Sequence, residues 1–486
     1  MCTNASCNCR AADTTLKRPE GPAEGGIAMT EATYAFQPGP KDVAPIVRSF
    51  NGASLADQGL TTPPDSNGAV DDRYFVEFIN GLFSVYDKAT GDLAAPRTED
   101  KTFWLYAGIP SSPAFTVVDP RIVFIPDAGR RGQWLAVQLD LGNRVLMATT
   151  DPYSWYPDPR IRNWKASSFD LDGNDFNMLG YDANGVYIGS NCTGGPDPGR
   201  SPQLVFIPRA NALAYPPQLG PNAVKILGPL KKAQYGSWLY PVIDQSGAGW
   251  DYETVIGVDN FSKRQLTFAL ISPQFGAILS NGRIDVEPFA PVPMGFRVAQ
   301  PALFDAVPWY NDGMVAPPMG DGFNIWLAQT VLKPQYGRLA VRWYRLYIDP
   351  VNRQPGLAAW GEIFQPGYDH FNPSILSFGK DDYTIVLLSR SGDSTTPQDP
   401  KDPRCGNIGA YAALVRETAS GSTTQVLPLH SGQVPNYLPQ GGQRWGDYST
   451  ICRDPDRAHP RRAWTVCQYA QSATQWCDVI SSIELP

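Results

Sequence analysis

The sequence predicts an all-β fold, a single β-propeller over residues 45–486, and three observations predict it. Turn-forming residues crowd the chain, with 46 Pro and 45 Gly against 18% charged residues, as many short strands joined by many turns require. A strand-start pattern, polar or turn residue followed by a short apolar run, recurs seven times at a spacing of roughly 55 to 75 residues, room for a four-stranded sheet each. No apolar period of 3.6 is sustained over three turns, so helices do not organise the chain. The length of 486 residues exceeds that of most domains but is ordinary for a closed all-β unit.

Residues 1–44 read as a flexible leader, because 10–40 is rich in Gly, Pro, Ala and charge and lacks apolar periodicity. Cys2, Cys7 and Cys9 are separated by four residues and then one, which matches no zinc-site spacing. The polar run after Met1 shows no apolar core of a secretory signal, which keeps a cytoplasmic setting open.

The strand starts are Asp65 to Val70, Asp119 to Phe124, Asp175 to Gly180, Pro241 to Asp244, Gln300 to Phe304, Asn372 to Leu376 and Gly446 to Ile451. Hairpins follow them. Asn80-Gly81 turns the strand Tyr74 to Ile79 into Leu82 to Tyr86, and Asp182 to Gly185 and Gly379 to Asp382 act likewise in later repeats. Seven blades are therefore expected. The fourth start fits the pattern least, so six blades with one large insertion is the alternative count. From Gly446 to Leu485 there is room for three strands only, so Pro45 to Phe50 is expected to complete the last blade and close the ring, leaving no free edge. Cys452 and Cys467 are expected opposite each other across the loop Asp454 to Arg462, where a disulfide fits, with Cys477 as competitor. Buried free thiols are the alternative.

Pro63-Pro64-Asp65-Ser66-Asn67-Gly68-Ala69-Val70, Asp119-Pro120-Arg121, Thr150-Asp151-Pro152 with Trp155, and Asp175 to Gly180 form an ordered set in the first half. Val341-Arg342-Trp343-Tyr344, Ser389 to Gly392 and Arg444-Trp445-Gly446-Asp447-Tyr448-Ser449 continue it. From Thr61 to Leu485 the chain resembles a group of mostly secreted bacterial β-propeller proteins. The resemblance implies the fold and an extracytoplasmic setting, and supplies no catalytic motif to carry over. The chain departs from the group in lacking a visible leader and in reading Asp175-Phe176-Asn177-Met178 where Asp-Tyr-Pro-Lys is common.

In a propeller the innermost strand of each blade lines a central channel, so residues at the strand starts gather at one mouth. The sequence places Asp65, Asp119, Arg121, Asp175, Asn177, Asp244, Gln300, Asn372, Arg444 and Asp447 there, with Asp369 and His370 just ahead of the sixth start. Paired carboxylates among Asp119, Asp175 and Asp447 could cleave a glycosidic bond. His370 or Tyr448 could instead abstract a proton beside a uronic carboxylate neutralised by Arg121 or Arg444, as in a polysaccharide lyase. Asp65, Gln300, Asn372 and Trp445 complete the expected substrate contacts. Each Asp also reads as a turn residue bonded to its own backbone, and each Arg as a neutraliser of neighbouring carboxylates.

Asp170, Asp172 and Asn174 alternate around Gly173 as calcium ligands would, though the downstream bidentate Glu of an EF-hand is missing. No other cofactor is expected. Trp104, Trp155, Trp164, Trp309 and Tyr310 fall in long connections and could stack on sugar rings or pack between blades. The net charge is −7 and the basic residues are scattered, which argues against nucleic acid. No apolar run approaches a membrane span. The chain carries no G-x-S-x-G elbow, H-E-x-x-H, Walker loop or sialidase Asp-box. The expected function is glycan binding or glycan degradation at the channel mouth. The alternatives are a non-catalytic scaffold for a protein partner, calcium-stabilised in one version, and an enzyme acting on a small molecule.

Overall fold

A computed structural model describes residues 46–485 except 59–62, 111–114, 130, 155–157, 198, 245–250, 259–262, 294, 309–315, 381, 419–420 and 439–443. Residues 1–44, expected to be a leader, with Cys2, Cys7 and Cys9, as well as Trp155, Trp309 and Tyr310, lie outside the described residues. The protein is an all-β single propeller. Five four-stranded sheets begin with the inner strands Gly68–Val70, Val117–Ile125, Trp238–Pro241, Tyr368–Ser377 and Thr450–Arg453. Each continues outward by antiparallel pairing.

Seven separate four-stranded sheets were expected, and the described residues form five. The difference has a local cause. The short strand Ile243–Asp244 pairs in parallel with both Asp175–Tyr181 and Met319–Gly320, which joins two groups of four strands into one nine-stranded sheet. The fifth strand start also needs correction. Gln300 ends a two-stranded ribbon, Arg297–Gln300 with Leu303–Pro308, and the inner strand of that region is Met319–Gly320.

The recurring strand start has one backbone cause. Asp65, Asp119, Phe176 and Asn372 share a left-handed backbone, with φ of 52°, 54°, 60° and 49°. The ladders slip between Val118 and Arg121, between Asp175 and Met178, and between Phe371 and Ser374. A bulge therefore kinks each of these three strands, and Asp and Asn are the side-chain-bearing residues that tolerate the conformation best. Phe176 is the outlier, and its ring is held 4.5 Å from that of Trp238 and 5.5 Å from that of Tyr448.

The expected N-terminal strand runs over Ile46–Ser54 and pairs antiparallel with the C-terminal strand Trp476–Glu484, from Ile46 opposite Ile483 to Ser54 opposite Cys477. The hairpin register corrects the disulfide expectation. Cys452 faces Trp464, not Cys467, and Cys192, Cys405, Cys452, Cys467 and Cys477 are all free thiols. Three short α-helices among the described residues escape the sequence reading. The longest, Asp100–Ala107, closes on Gly108 at φ 107°, and two turns are too short to display a period. It drives Phe103 and Trp104 into the packing between sheets, against Trp164. Trp104 and Trp164 are fully buried, so they are core residues and not platforms for sugars.

Candidate functional site

The strand starts meet at one end of the channel through a hydrogen-bonded belt that runs from sheet to sheet. Asp65 accepts from the Asp447 amide at 2.8 Å and from Asn80 Nδ2 at 2.8 Å. Asn80 Oδ1 accepts from the Asp119 amide at 2.9 Å, and the Asp119 carboxylate accepts from the Phe176 amide at 3.1 Å. One layer deeper, Asn67 accepts from the Ile122 amide at 2.8 Å and donates to Thr450 Oγ1 at 3.0 Å. Asn372 donates to the Gly446 carbonyl, and its own carbonyl accepts from Ser449 Oγ at 2.7 Å. The bulges make this geometry available by turning one amide per strand out of its own ladder toward the adjoining sheet.

Charge is balanced inside the belt. Arg444 is ion-paired with Asp447. Arg121 donates from Nε to the Asn177 carbonyl at 2.7 Å and lies 3.7 Å over the Tyr448 ring, a desolvated cation–π contact. Burial, then the carboxylates of Asp447 and Asp119, push Asp65 well above the ordinary carboxylate range. Burial raises Asp119 and Asp447 as well, against the pull of Arg121 on the first and Arg444 on the second. Tyr448 is pushed up by burial and stays a phenol, so it is a poor base at neutral pH. Carboxylates occupied in this way hold backbone amides.

The structure thus brings together Asp65, Asp119, Arg121, Asn372, Arg444, Asp447 and Tyr448 from the sequence-predicted set. The others stand apart. Asp175 is ion-paired with Arg200 on an outer strand. His370 is 1% exposed, and burial, helped by Arg390, pulls it down to about 3. Its neighbour Asp369 accepts from the amides of Ala299 and Leu339 at 2.9 and 2.8 Å. Gln300 exchanges two hydrogen bonds with the Tyr437 backbone, and Trp445 is buried with its indole donating to Ser389 Oγ at 3.1 Å.

In the expected calcium loop Asp170 and Asp172 are exposed, while Asn174 is buried and donates to the Arg144 carbonyl at 2.9 Å. Among the described residues no group of three or more His, Cys, Asp or Glu side chains converges as metal ligands. No helix among them is long and apolar enough to cross a membrane.

Sequence reasoning missed Asn80 and Asn67, the two amides that tie the belt together; Asn80 read only as half of a hairpin signal. It also missed the far end of the channel. Below the belt lies a space of about 40 Å³ bordered by Asn67, Arg121, Ser374 and Ser449. It shares Ile122, Val123, Ile243, Met319, Thr450 and Ile451 with a larger cavity of about 250 Å³ that reaches Tyr181, Asp182, Arg209, Asp244, Cys452 and Arg453. The parallel contacts among inner strands put their N-terminal ends at the belt and their C-terminal ends at this cavity.

No protein-family model and no curated protein sequence matches the chain. Among solved structures it is similar to Drosophila plexin A in complex with semaphorin 1b, at 9% identity and a TM-score of 0.42 over 92% of this chain and 88% of that one. It is similar to the extracellular domains 1-2 of Drosophila semaphorin 1a, at 8% identity and a TM-score of 0.41 over 92% and 89%. A third likeness is to the WD40 domain of SCAP from fission yeast, at 9% identity and a TM-score of 0.36 over 85% and 82%.

Proposed function

We propose that the protein is a non-catalytic binding propeller that takes its ligand in the channel cavity opposite the belt. One observation carries this reading: the carboxylates that a hydrolase would need free are already engaged, Asp119 with the Phe176 amide of the adjoining sheet, Asp447 with Arg444 and Asp175 with Arg200. A general acid or nucleophile must reach its substrate, and groups that hold the sheets together are tied to that task. The ring is read as seven blades, with Ile243–Asp244 as the bridge that merges two of them. The pairing of Ile46–Ser54 with Trp476–Glu484 supports a ring closed by the N-terminal strand.

The test is a panel of neutral and uronate polysaccharides, followed by reducing ends and by the absorbance of unsaturated uronates. The expected result is no turnover by the natural chain, together with a lowered unfolding midpoint in Asp447→Asn and Asp119→Asn. Turnover that disappears in Asp447→Asn while the midpoint stays unchanged overturns the reading.

A further inference from the structure

Resting on the channel as the binding space, we infer that its larger cavity takes a small monocarboxylic acid with an apolar body, and that Arg453 holds the carboxylate. The walls are apolar, with Val70, Val123, Phe124, Ile243, Met319 and Ile451 contributed by four inner strands and the bridging strand. Arg453 breaks that character. Its Nη2 donates to the Ser377 carbonyl at 3.0 Å and its guanidinium lies 4.8 Å from the Phe378 ring centre. Its Nε is buried without a hydrogen-bond partner, and no ion pair is made by Arg453 among the described residues.

The other cations of this end are engaged. Arg209 donates to Asp127 and to the Asp182 carbonyl, both at 2.7 Å, and Lys88 is paired with Asp454 at 2.8 Å. The acids nearest Arg453 in its electrostatic surroundings are Asp321 and Asp382. Asp382 is bound to Arg461 at 2.5 Å, and Asp321 accepts from Asn324.

Arg453 is half-buried and carries no ion pair among the described residues, and a guanidinium so placed gains most from a carboxylate, whose two oxygens match its fork. The same wall carries the Tyr181 hydroxyl, for which no hydrogen-bond partner exists among the described residues, as a second donor. The Asp182 carboxylate is used by its own turn, accepting from the amides of Asn184 at 2.8 Å and Gly185 at 2.7 Å. Burial pushes the Cys452 thiol up to about 12, so it adds no negative charge to the cavity. Asp244 also lines the space and would favour an amine, which the test must therefore include. A cavity of about 250 Å³ falls just below the range of pockets for drug-sized ligands, which suits one ring with a short chain.

The experiment uses the full chain with 3-phenylpropionate, 3-phenylpropionamide and 3-phenylpropylamine as matched probes, with binding read by calorimetry and by thermal midpoint. The acid is expected to bind and to raise the midpoint, while the amide binds at least about tenfold more weakly, the scale of one charge-assisted hydrogen bond. Arg453→Met is expected to abolish the preference for the acid, Arg453→Lys to restore part of it, and Tyr181→Phe to weaken the acid several-fold. Equal or tighter binding of the amine or amide, blocked by Val123→Trp in a chain that still melts cooperatively, overturns the acid assignment and leaves the channel as the binding space. Binding of the acid that Val123→Trp leaves unchanged overturns both. No binding by any of the three probes overturns the acid assignment.

Discussion

Asn80 shows how much of the belt rests on single side chains. It donates to the Pro63 carbonyl at 3.1 Å and to Asp65, and accepts from the Asp119 amide, so one amide joins the first sheet to the second. Asn80→Ala leaves a buried carboxylate and a buried amide short of a partner, and the expected loss is about 2 to 4 kcal/mol, checked by denaturant unfolding. As a hairpin residue Asn80 was legible in the sequence; its partner Asp119 lies 39 residues away in another sheet, and no local pattern encodes that distance. His370 teaches the converse. Next to Asp369 and near an inner strand it looked poised for chemistry, yet it is buried and neutral. The periodicity of a strand places a residue on a face without saying what packs against that face.

The N-terminal strand is the element on which the last sheet depends, since it supplies the fourth strand of that sheet. The Ala53 amide donates to both oxygens of Glu77 at 3.0 Å, and Glu77 also accepts from the Tyr86 hydroxyl at 2.8 Å. Gly52 makes this approach feasible. A Cβ there would stand 2.4 Å from Glu77 Oε1 and 3.1 Å from Asp478 Cβ, so Gly52→Ala is expected to cost about 1 to 3 kcal/mol through overpacking. Faster hydrogen exchange at the Ala53 amide would report it. Deleting residues 46–54 bares the edge of Trp476–Glu484 and is expected to give soluble aggregates in light scattering. This element was readable because three strands in the last segment demand a fourth. The nine-stranded sheet was not readable, because a strand of two residues carries no pattern.

At the scale of the whole molecule, buried carboxyls set the dependence on pH. Burial pushes Asp71 up to about 7 and Asp369 up to about 6, and burial followed by the Glu77 carboxyl drives Asp478 well above the ordinary range. Each raised group keeps its proton in the fold at a pH where the unfolded chain has lost it. Their contribution to stability is therefore full below the ordinary carboxylate value of about 4 and is lost as pH rises through 6 to 7. The unfolding midpoint is expected to fall between pH 5 and pH 8, and less steeply in Asp478→Asn; a midpoint that rises over that window contradicts the assignment.

By itself the sequence determined an all-β ring, the position of most of its strand starts and the N-terminal strand of the last sheet, because turn residues, alternation and repeat spacing are local and periodic. Only the tertiary structure decided that the gathered Asp and Arg side chains bind one another and the backbone, that the five described cysteines stay unpaired, and that the open space lies at the other end of the channel. Those outcomes depend on register and on which sheets adjoin, quantities set by packing between segments far apart in the chain.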